Sequence, residues 1–310
     1  MIHYLVLAHK SPEQLEMLAQ SLSSKNSKIY IHIDGYSDLN VFQENNYLAE
    51  FCVFIKKNIK IRWWWFSIVQ ATINWLQQIK EDRLDEEDYV VILSGQDFPI
   101  KSQDFINTYL NNSKSKSFIE YRPQPNENRN ILNRVIKYHF HDLVIPRRCN
   151  IIIERMVWIF YNIKSLGLRN QISCYVMQRI VNFFMPLKKY FVKECQLYRW
   201  SQRQIINGKH IHYILSHLKT SQGIRTYKEF KYTAGPDELF FQTILLNSPY
   251  KNDIANIVQR YIDRKSGPWF PRVLDESDYD NVSKSDKLFA RKFELWISNS
   301  LMQKILSSFS

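Results

Sequence analysis

Two carboxylates follow a glycine and a proline at Gly235-Pro236-Asp237-Glu238. Proline suits the first position of a helix, so both acids fall in a first turn, where the helix dipole favours negative charge. Such acids often serve only to cap. An ionised carboxylate fixed at a helix start can also take a proton from a hydroxyl, which is general-base chemistry, and Glu238 is the candidate. Asp278-Tyr279-Asp280 is a D-x-D triplet, a pattern that can hold a divalent cation against a diphosphate when it ends an internal strand. Here it lies in the polar run 275–286, which predicts a solvated loop. His139-Phe140-His141 on a strand would point both rings one way. His210, His212 and His217 on a helix would spread over different faces, or lie roughly 10 Å apart along one face, too far for one ion. Neither histidine group has an obvious third ligand, and no metal is expected. Arg272, Lys287, Arg291 and Lys292 are either surface charge or groups able to neutralise a diphosphate without a metal.

Composition narrows the chemistry further. The 310 residues include only 7 glycines, and no two are spaced as G-x-G-x-x-G or G-x-x-x-x-G-K-[ST]. Both glycine-rich phosphate cradles are therefore absent, which argues against a dinucleotide oxidoreductase and a P-loop NTPase. Four cysteines without C-x-x-C spacing indicate neither a structural zinc site nor a redox pair, and reduced thiols are expected. The net charge of +12 asks for a polyanionic partner. No nucleic-acid-binding motif accompanies that charge. Residues 147–193 carry nine cations against Glu154 alone, a net of +8. This basic, aromatic segment reads as helical. It suits either an anionic membrane surface or an ordinary solvated face. The N-terminus reads as a strand rather than a leader, and no run of 18 apolar residues predicts a spanning helix. The expected location is cytoplasmic, with a peripheral contact on the inner face of the membrane through 147–193.

The elements that must position these groups are readable in outline. Apolar runs predict buried strands over 2–8, 28–34, 51–55, 89–93 and 118–121. Ser11, Pro12 and Gln14 form a capping-box pattern that opens a helix to about residue 24. Helical spacing recurs over 67–79, 102–110, 208–218, 236–246 and 294–309, with further strands over 196–206 and 260–263. This alternation predicts an α/β fold, a Rossmann-like, mostly parallel central sheet flanked by helices, with a basic helical insertion. Ligands of such sheets sit beyond the carboxyl ends of the strands. Those ends carry Ala8, His9, Lys10, Asp34, Ser94, Gly95, Gln96, Asp97 and Glu120.

Read in order, several segments together resemble the core-2/I-branching β-1,6-N-acetylglucosaminyltransferase family, which also includes peptide xylosyltransferases. They are His9-Lys10-Ser11-Pro12-Glu13-Gln14, Ile31-His32-Ile33-Asp34, Arg62-Trp63, Leu93-Ser94-Gly95-Gln96-Asp97-Phe98-Pro99, Phe118-Ile119-Glu120 and Tyr138-His139-Phe140. Pro236-Asp237-Glu238-Leu239-Phe240-Phe241, Tyr261-Ile262-Asp263, Pro271-Arg272-Val273-Leu274 and Ala290-Arg291-Lys292-Phe293 complete the set. The resemblance covers 1–142 and 196–295, and 143–195 carries no family motif.

That resemblance implies a GT-A-type nucleotide-sugar fold and an inverting, metal-independent glycosyltransferase that needs no cofactor besides its donor. Glu238 corresponds to the catalytic base, and Arg272 and Lys292 to the pair holding the donor diphosphate. Ala8, His9, Asp34, Arg62, Ser94, Gly95 and Asp97 correspond to the nucleotide and donor region. Glu120, Glu194, Trp200 and Asp237 fall on the acceptor side. The expected partners are a UDP-sugar donor (GlcNAc, xylose or another hexose) and a glycan or glycolipid acceptor, in bacterial surface polysaccharide or lipopolysaccharide synthesis. The alternative is a non-catalytic membrane- or polyanion-binding protein on the same fold. The expected layout is one domain over 1–310, with a nucleotide-sugar half at 1–142, the insertion at 143–195 and a catalytic half at 196–310. Two departures from relatives stand out. Trp63-Trp64-Trp65 replaces Trp-Gly-Gly, and Arg199-Trp200-Ser201-Gln202-Arg203 replaces a Gly-Ser-Gln-Trp-like strand.

Overall fold

A computed structural model describes residues 1–56, 59–61, 65–123, 134–135, 195–199, 203–264, 266 and 271–309. Four parallel strands organise it: β1 (Ile2–Ala8), β2 (Ser27–Ile33), β3 (Cys52–Phe54) and β4 (Tyr89–Ser94). β1 lies between β2 and β4, with Ala8 opposite Ile33 and Leu7 opposite Ser94. Between them run α1 (Pro12–Leu22), the short α2 (Leu39–Gln43) and α3 (Asn46–Phe51), and α4 (Phe66–Glu81).

Successive side chains of a strand point to opposite faces, and here both faces are dry. Tyr4, Val6 and Ala8 pack with Leu15 and Leu18 of α1, while Leu5, Tyr30, Val90 and Ile92 pack with Val69 and Trp75 of α4. Burial on both sides is why these strands read as continuous apolar runs. The chain continues through β5 (Asp97–Pro99), α5 (Gln103–Asn111), β6 (Ser117–Phe118), β7 (Arg122–Pro123), β8 (Tyr198–Arg199), β9 (Ile205–Asn207), α6 (Gly208–His217), α7 (Ser221–Phe230) and α8 (Phe240–Leu246). It ends with β10 (Ile254–Ala255), β11 (Arg260–Ile262), α9 (Tyr279–Ser283), β12 (Phe289–Arg291) and α10 (Leu295–Ser307). The large sheet has the order β10-β6-β9-β4-β1-β2-β3, with β9 antiparallel to both neighbours. A second sheet of three short strands, β11-β12-β5, aligns Asp97 opposite Arg291.

The predicted class is therefore the observed one, a mostly parallel sheet flanked by helices. Several local expectations are corrected. Ser11 does not cap α1: it adopts a left-handed conformation (φ 56°) with no side-chain cap bond. Gln14 does not close a capping box either. Its amide donates to the carbonyls of Gly95 (2.7 Å) and Phe293 (3.1 Å), and its Oε1 accepts from the Leu295 N–H (2.7 Å). The helix expected over 236–246 is broken: Pro236–Glu238 is a 3₁₀ turn, and α8 begins only after Leu239 (φ −128°). The strand expected over 196–206 is two short pieces in different sheets, β8 and β9. The expected strand at 118–121 stops at Phe118. α7, β5 and β12 were not anticipated, being short or weakly apolar. The insertion at 143–195 lies outside the described residues except for Cys195.

Candidate active site

The carboxyl ends of β1, β2 and β4 converge. The Gly95 N–H donates to Leu7 O at 2.7 Å and the Asp34 N–H to Ala8 O at 2.9 Å. A methyl on Gly95 would stand 3.3 Å from the Ala8 Cβ, tight enough to explain glycine there. Asp34 Oδ1 accepts from the backbone N–H groups of Tyr36 and Ile61, each at 3.2 Å. His9 stands beside them, and partial desolvation of its ring, followed by the Lys10 charge, holds it below the ordinary histidine range. Ala8, His9, Asp34, Ser94, Gly95 and Asp97 are thus gathered at one edge, as the strand reading requires.

Asp97 is fixed by its register. It is fully buried, with Arg291 Nη1 3.0 Å from Oδ1 and Arg260 Nε 3.3 Å from Oδ2, while the Ser94 N–H donates to Oδ2 at 3.0 Å. Burial pushes its carboxyl up, but Arg291, Arg260 and Arg203 together hold it below the usual range. Arg203 is itself lowered to about 9, by burial first and then by Arg291. A narrow cavity of about 60 Å³ opens here, lined by Ser94, Asp97, Arg203, Asp237, Phe241 and Arg291.

On the far wall, Gly235 (φ 60°) turns the chain into the 3₁₀ turn that carries both acids. Asp237 is buried, and burial followed by the Glu238 charge raises it to about 7. Glu238 is held by two cations on a single oxygen, Arg199 Nε at 3.0 Å and Arg134 Nη2 at 3.3 Å from Oε2. Arg134 is itself anchored on the Ala234 and Gly235 carbonyls at 2.9 and 3.4 Å. Its guanidinium fills the place where a Cβ on residue 235 would stand.

Arg272 and Lys292 lie on neighbouring segments, joined by the Leu274 N–H donating to Lys292 O at 2.8 Å. Arg272 is engaged by Asp263 (3.1 Å), Asp275 (3.3 Å) and Asp278. The hydrogen bond to Asp278 contributes most to raising the guanidinium further. The D-x-D triplet is therefore not the solvated loop expected: Asp278 is 4 % exposed beneath Arg272, whereas Asp280 faces solvent on α9. Asp278 is thus taken up by Arg272 and by the Asp275 N–H at 2.9 Å. Lys292 pairs with Glu294 at 3.3 Å, which also accepts from Lys10 at 2.8 Å and from Gln96. Burial raises Glu294, and these two lysines bring it below the ordinary range.

The histidines stand apart. His210 Nδ1 shares a 2.6 Å hydrogen bond with Ser117, and burial lowers its ring to about 4. His212 meets the Leu84 carbonyl, and His217 stacks on Tyr213. Among the described residues no group of three or more His, Cys, Asp or Glu could hold a metal. Glu120 follows β6 by two residues. Arg62, Glu194, Trp200, His139 and His141 lie outside the described residues. The residues that sequence reasoning left unassigned are Arg134, Arg199, Arg203 and Arg260. The cationic departure at 199–203 was the visible signal for two of them.

A family model for the core-2/I-branching enzyme matches residues 2–159. No curated protein matches the chain. Among solved structures, the apo crystal structure of mouse xyloside xylosyltransferase 1 aligns with a TM-score of 0.39 at 10 % identity, covering 94 % of this chain and 97 % of that one. A Bacillus anthracis protein in complex with a sucrose, provisionally described as a glucose-1-phosphate thymidylyltransferase, aligns at 0.31 and 11 % identity over 72 % and 78 %. The family match spans more than half of the chain, from the first strand onward, and the protein belongs to the core-2/I-branching enzyme family of glycosyltransferases.

Proposed function

We propose that this glycosyltransferase is inverting and metal-independent, and moves a sugar from a UDP-sugar to a hydroxyl of a glycan acceptor. The observation that carries this reading is the hold on Glu238. Both described cationic contacts fall on Oε2, one residue from the cavity wall formed by Asp237. Oε1 is then the oxygen presented to an acceptor hydroxyl. In the reaction Glu238 takes the hydroxyl proton as that oxygen bonds to the anomeric carbon. The bond from that carbon to the β-phosphate oxygen breaks on the opposite face, and UDP leaves with the electron pair. Arg272 and Lys292 stabilise the departing charge in place of a metal. Of the three carboxylates on Arg272, Asp275 is the most exposed at 44 %, and it is the contact a donor diphosphate displaces. The uridine lies along Ala8, His9 and Asp34, and the sugar against Ser94, Gly95 and Asp97. The acceptor is a surface glycan or its lipid-linked precursor in a bacterial cell, met at the inner face of the cytoplasmic membrane.

The test is UDP release from a panel of UDP-sugars, with and without acceptor, in EDTA. Turnover should persist in EDTA, and Glu238→Gln should cost about 10²–10⁴ in kcat, the usual worth of a general base. Near-normal turnover of Glu238→Gln would reject the base. Strict loss in EDTA that Mn²⁺ restores would reject metal independence.

A further inference from the structure

We propose that Lys10 is a third cation for the donor diphosphate, alongside Arg272 and Lys292. The proposal rests on the reading that a UDP-sugar binds at those two residues, and adds one that the reading does not include.

The charges in contact show why two cations fall short. Arg272 faces Asp263, Asp275 and Asp278, and Lys292 faces Glu294. Four carboxylates therefore touch two cations. With Asp275 displaced by the donor, three remain, and an arriving diphosphate meets a surplus of its own sign. Arg291, next to Lys292 in the chain, is committed to Asp97 at 3.0 Å. His9 supplies no charge near neutral pH, because partial desolvation and then the Lys10 charge hold its ring below the ordinary range.

Lys10 stands where the missing cation is needed. Its ammonium donates to both oxygens of Glu294 at 2.8 Å, and Lys292 Nζ lies 3.3 Å from one of the same oxygens, Oε1. Two ammoniums gathered on one carboxyl oxygen are close enough for a single diphosphate to span them. Glu294 itself stays in place: it is 6 % exposed, it accepts from Gln96, and its backbone N–H donates to Ser298 Oγ at 3.0 Å. Lys10 is 44 % exposed, so it is open to a ligand, and its ammonium has a third hydrogen to offer. It also shares a small recess with His9 and Gly95, which the donor reading gives to the nucleotide and the sugar. Lys10 transfers no proton in this role. It donates a hydrogen bond to a non-bridging phosphate oxygen, which UDP carries away when it leaves. The plain alternative is a tie between the end of β1 and the start of α10.

UDP and uridine separate the two, because they share base and ribose and differ in the diphosphate. At pH 7.5 UDP is titrated by calorimetry and uridine by saturation-transfer NMR. Lys10→Gln should cut the preference for UDP over uridine by about tenfold, the size of one charge-assisted contact. Lys10→Arg, which keeps the charge, should restore part of it. A half-exposed ion pair adds little to stability, so the glutamine variant should fold, and Lys10→Met serves as a second neutral variant. A preference that survives the neutral variants overturns the proposal, as does an equal loss of UDP and uridine, which marks a structural tie. Lys292→Gln keeps the two readings apart. If it loses the preference and Lys10→Gln does not, the donor reading stands and Lys10 falls. If Lys10→Gln loses the preference and Lys292→Gln does not, Lys10 holds the diphosphate and the role of Lys292 falls. A natural protein that binds UDP no more tightly than uridine overturns both.

Discussion

Asp237 and Glu238 are neighbours in sequence with opposite electrostatic settings. Glu238 faces two guanidiniums, whereas Asp237 is turned into the interior, where burial and the Glu238 charge raise it to about 7. This has a consequence for stability that can be given a sign. In the unfolded chain Asp237 loses its proton near the ordinary value of 3.8, but in the fold it keeps it up to about 7. Over that window the folded state binds more protons, so the contribution of this residue to stability falls as pH rises. It is complete below pH 3.8 and lost above about 7. Asp237→Asn removes the titration. Relative to the natural protein the variant should gain stability between pH 4 and pH 8, by on the order of 2–4 kcal/mol. Urea unfolding of both proteins at the two pH values measures it, and a constant difference between them would show that Asp237 does not carry a raised pKa.

The elements that present these residues are tied together at one buried side chain. Gln14, 3 % exposed on α1, bridges the turn after β4 to the start of α10 through Gly95, Phe293 and Leu295. Gln14→Ala leaves those backbone groups without their partner and should destabilise by about 1–3 kcal/mol. Because the same bond steadies the Ser94–Asp97 turn, the donor KM should rise more than kcat falls. An unchanged KM in a destabilised variant would detach this clamp from the site. The sequence discloses some of this and hides the rest, for physical reasons. Ile2–Ala8 and Tyr89–Ser94 are legible because strands buried on both faces leave a continuous apolar run. Gln14 misleads because a capping-box pattern is local, whereas its actual partners are 81 to 281 residues away. The helix expected over 236–246 misses the break at Leu239, since the apolar helix that follows continues the pattern without a stop signal. Arg260 and Arg291 reach Asp97 because β11, β12 and β5 pair, contacts that no spacing in the chain encodes.

At the scale of the whole molecule, the net charge of +12 divides unevenly. Residues 147–193 hold +8 of it, and all of them beyond 159 lie outside the family match. The site cations are mostly matched: Arg272 by three carboxylates, Lys292 by Glu294, and Arg134 and Arg199 by Glu238. Attachment through this segment would draw on its net +8 against an anionic leaflet. Each lysine near an anionic leaflet is worth about 1 kcal/mol, screened over about 8 Å at physiological ionic strength. The protein should co-sediment with vesicles containing phosphatidylserine or phosphatidylglycerol, not with phosphatidylcholine alone, and should be released by salt. Replacing Lys188, Lys189 and Lys193 with glutamine should weaken that partition by about 100-fold. UDP release with a water-soluble acceptor should persist, because these lysines lie outside the family motifs. Equal binding to neutral vesicles, or a partition unmoved by the triple substitution, would leave the segment as a solvated face and move any membrane contact elsewhere on the molecule.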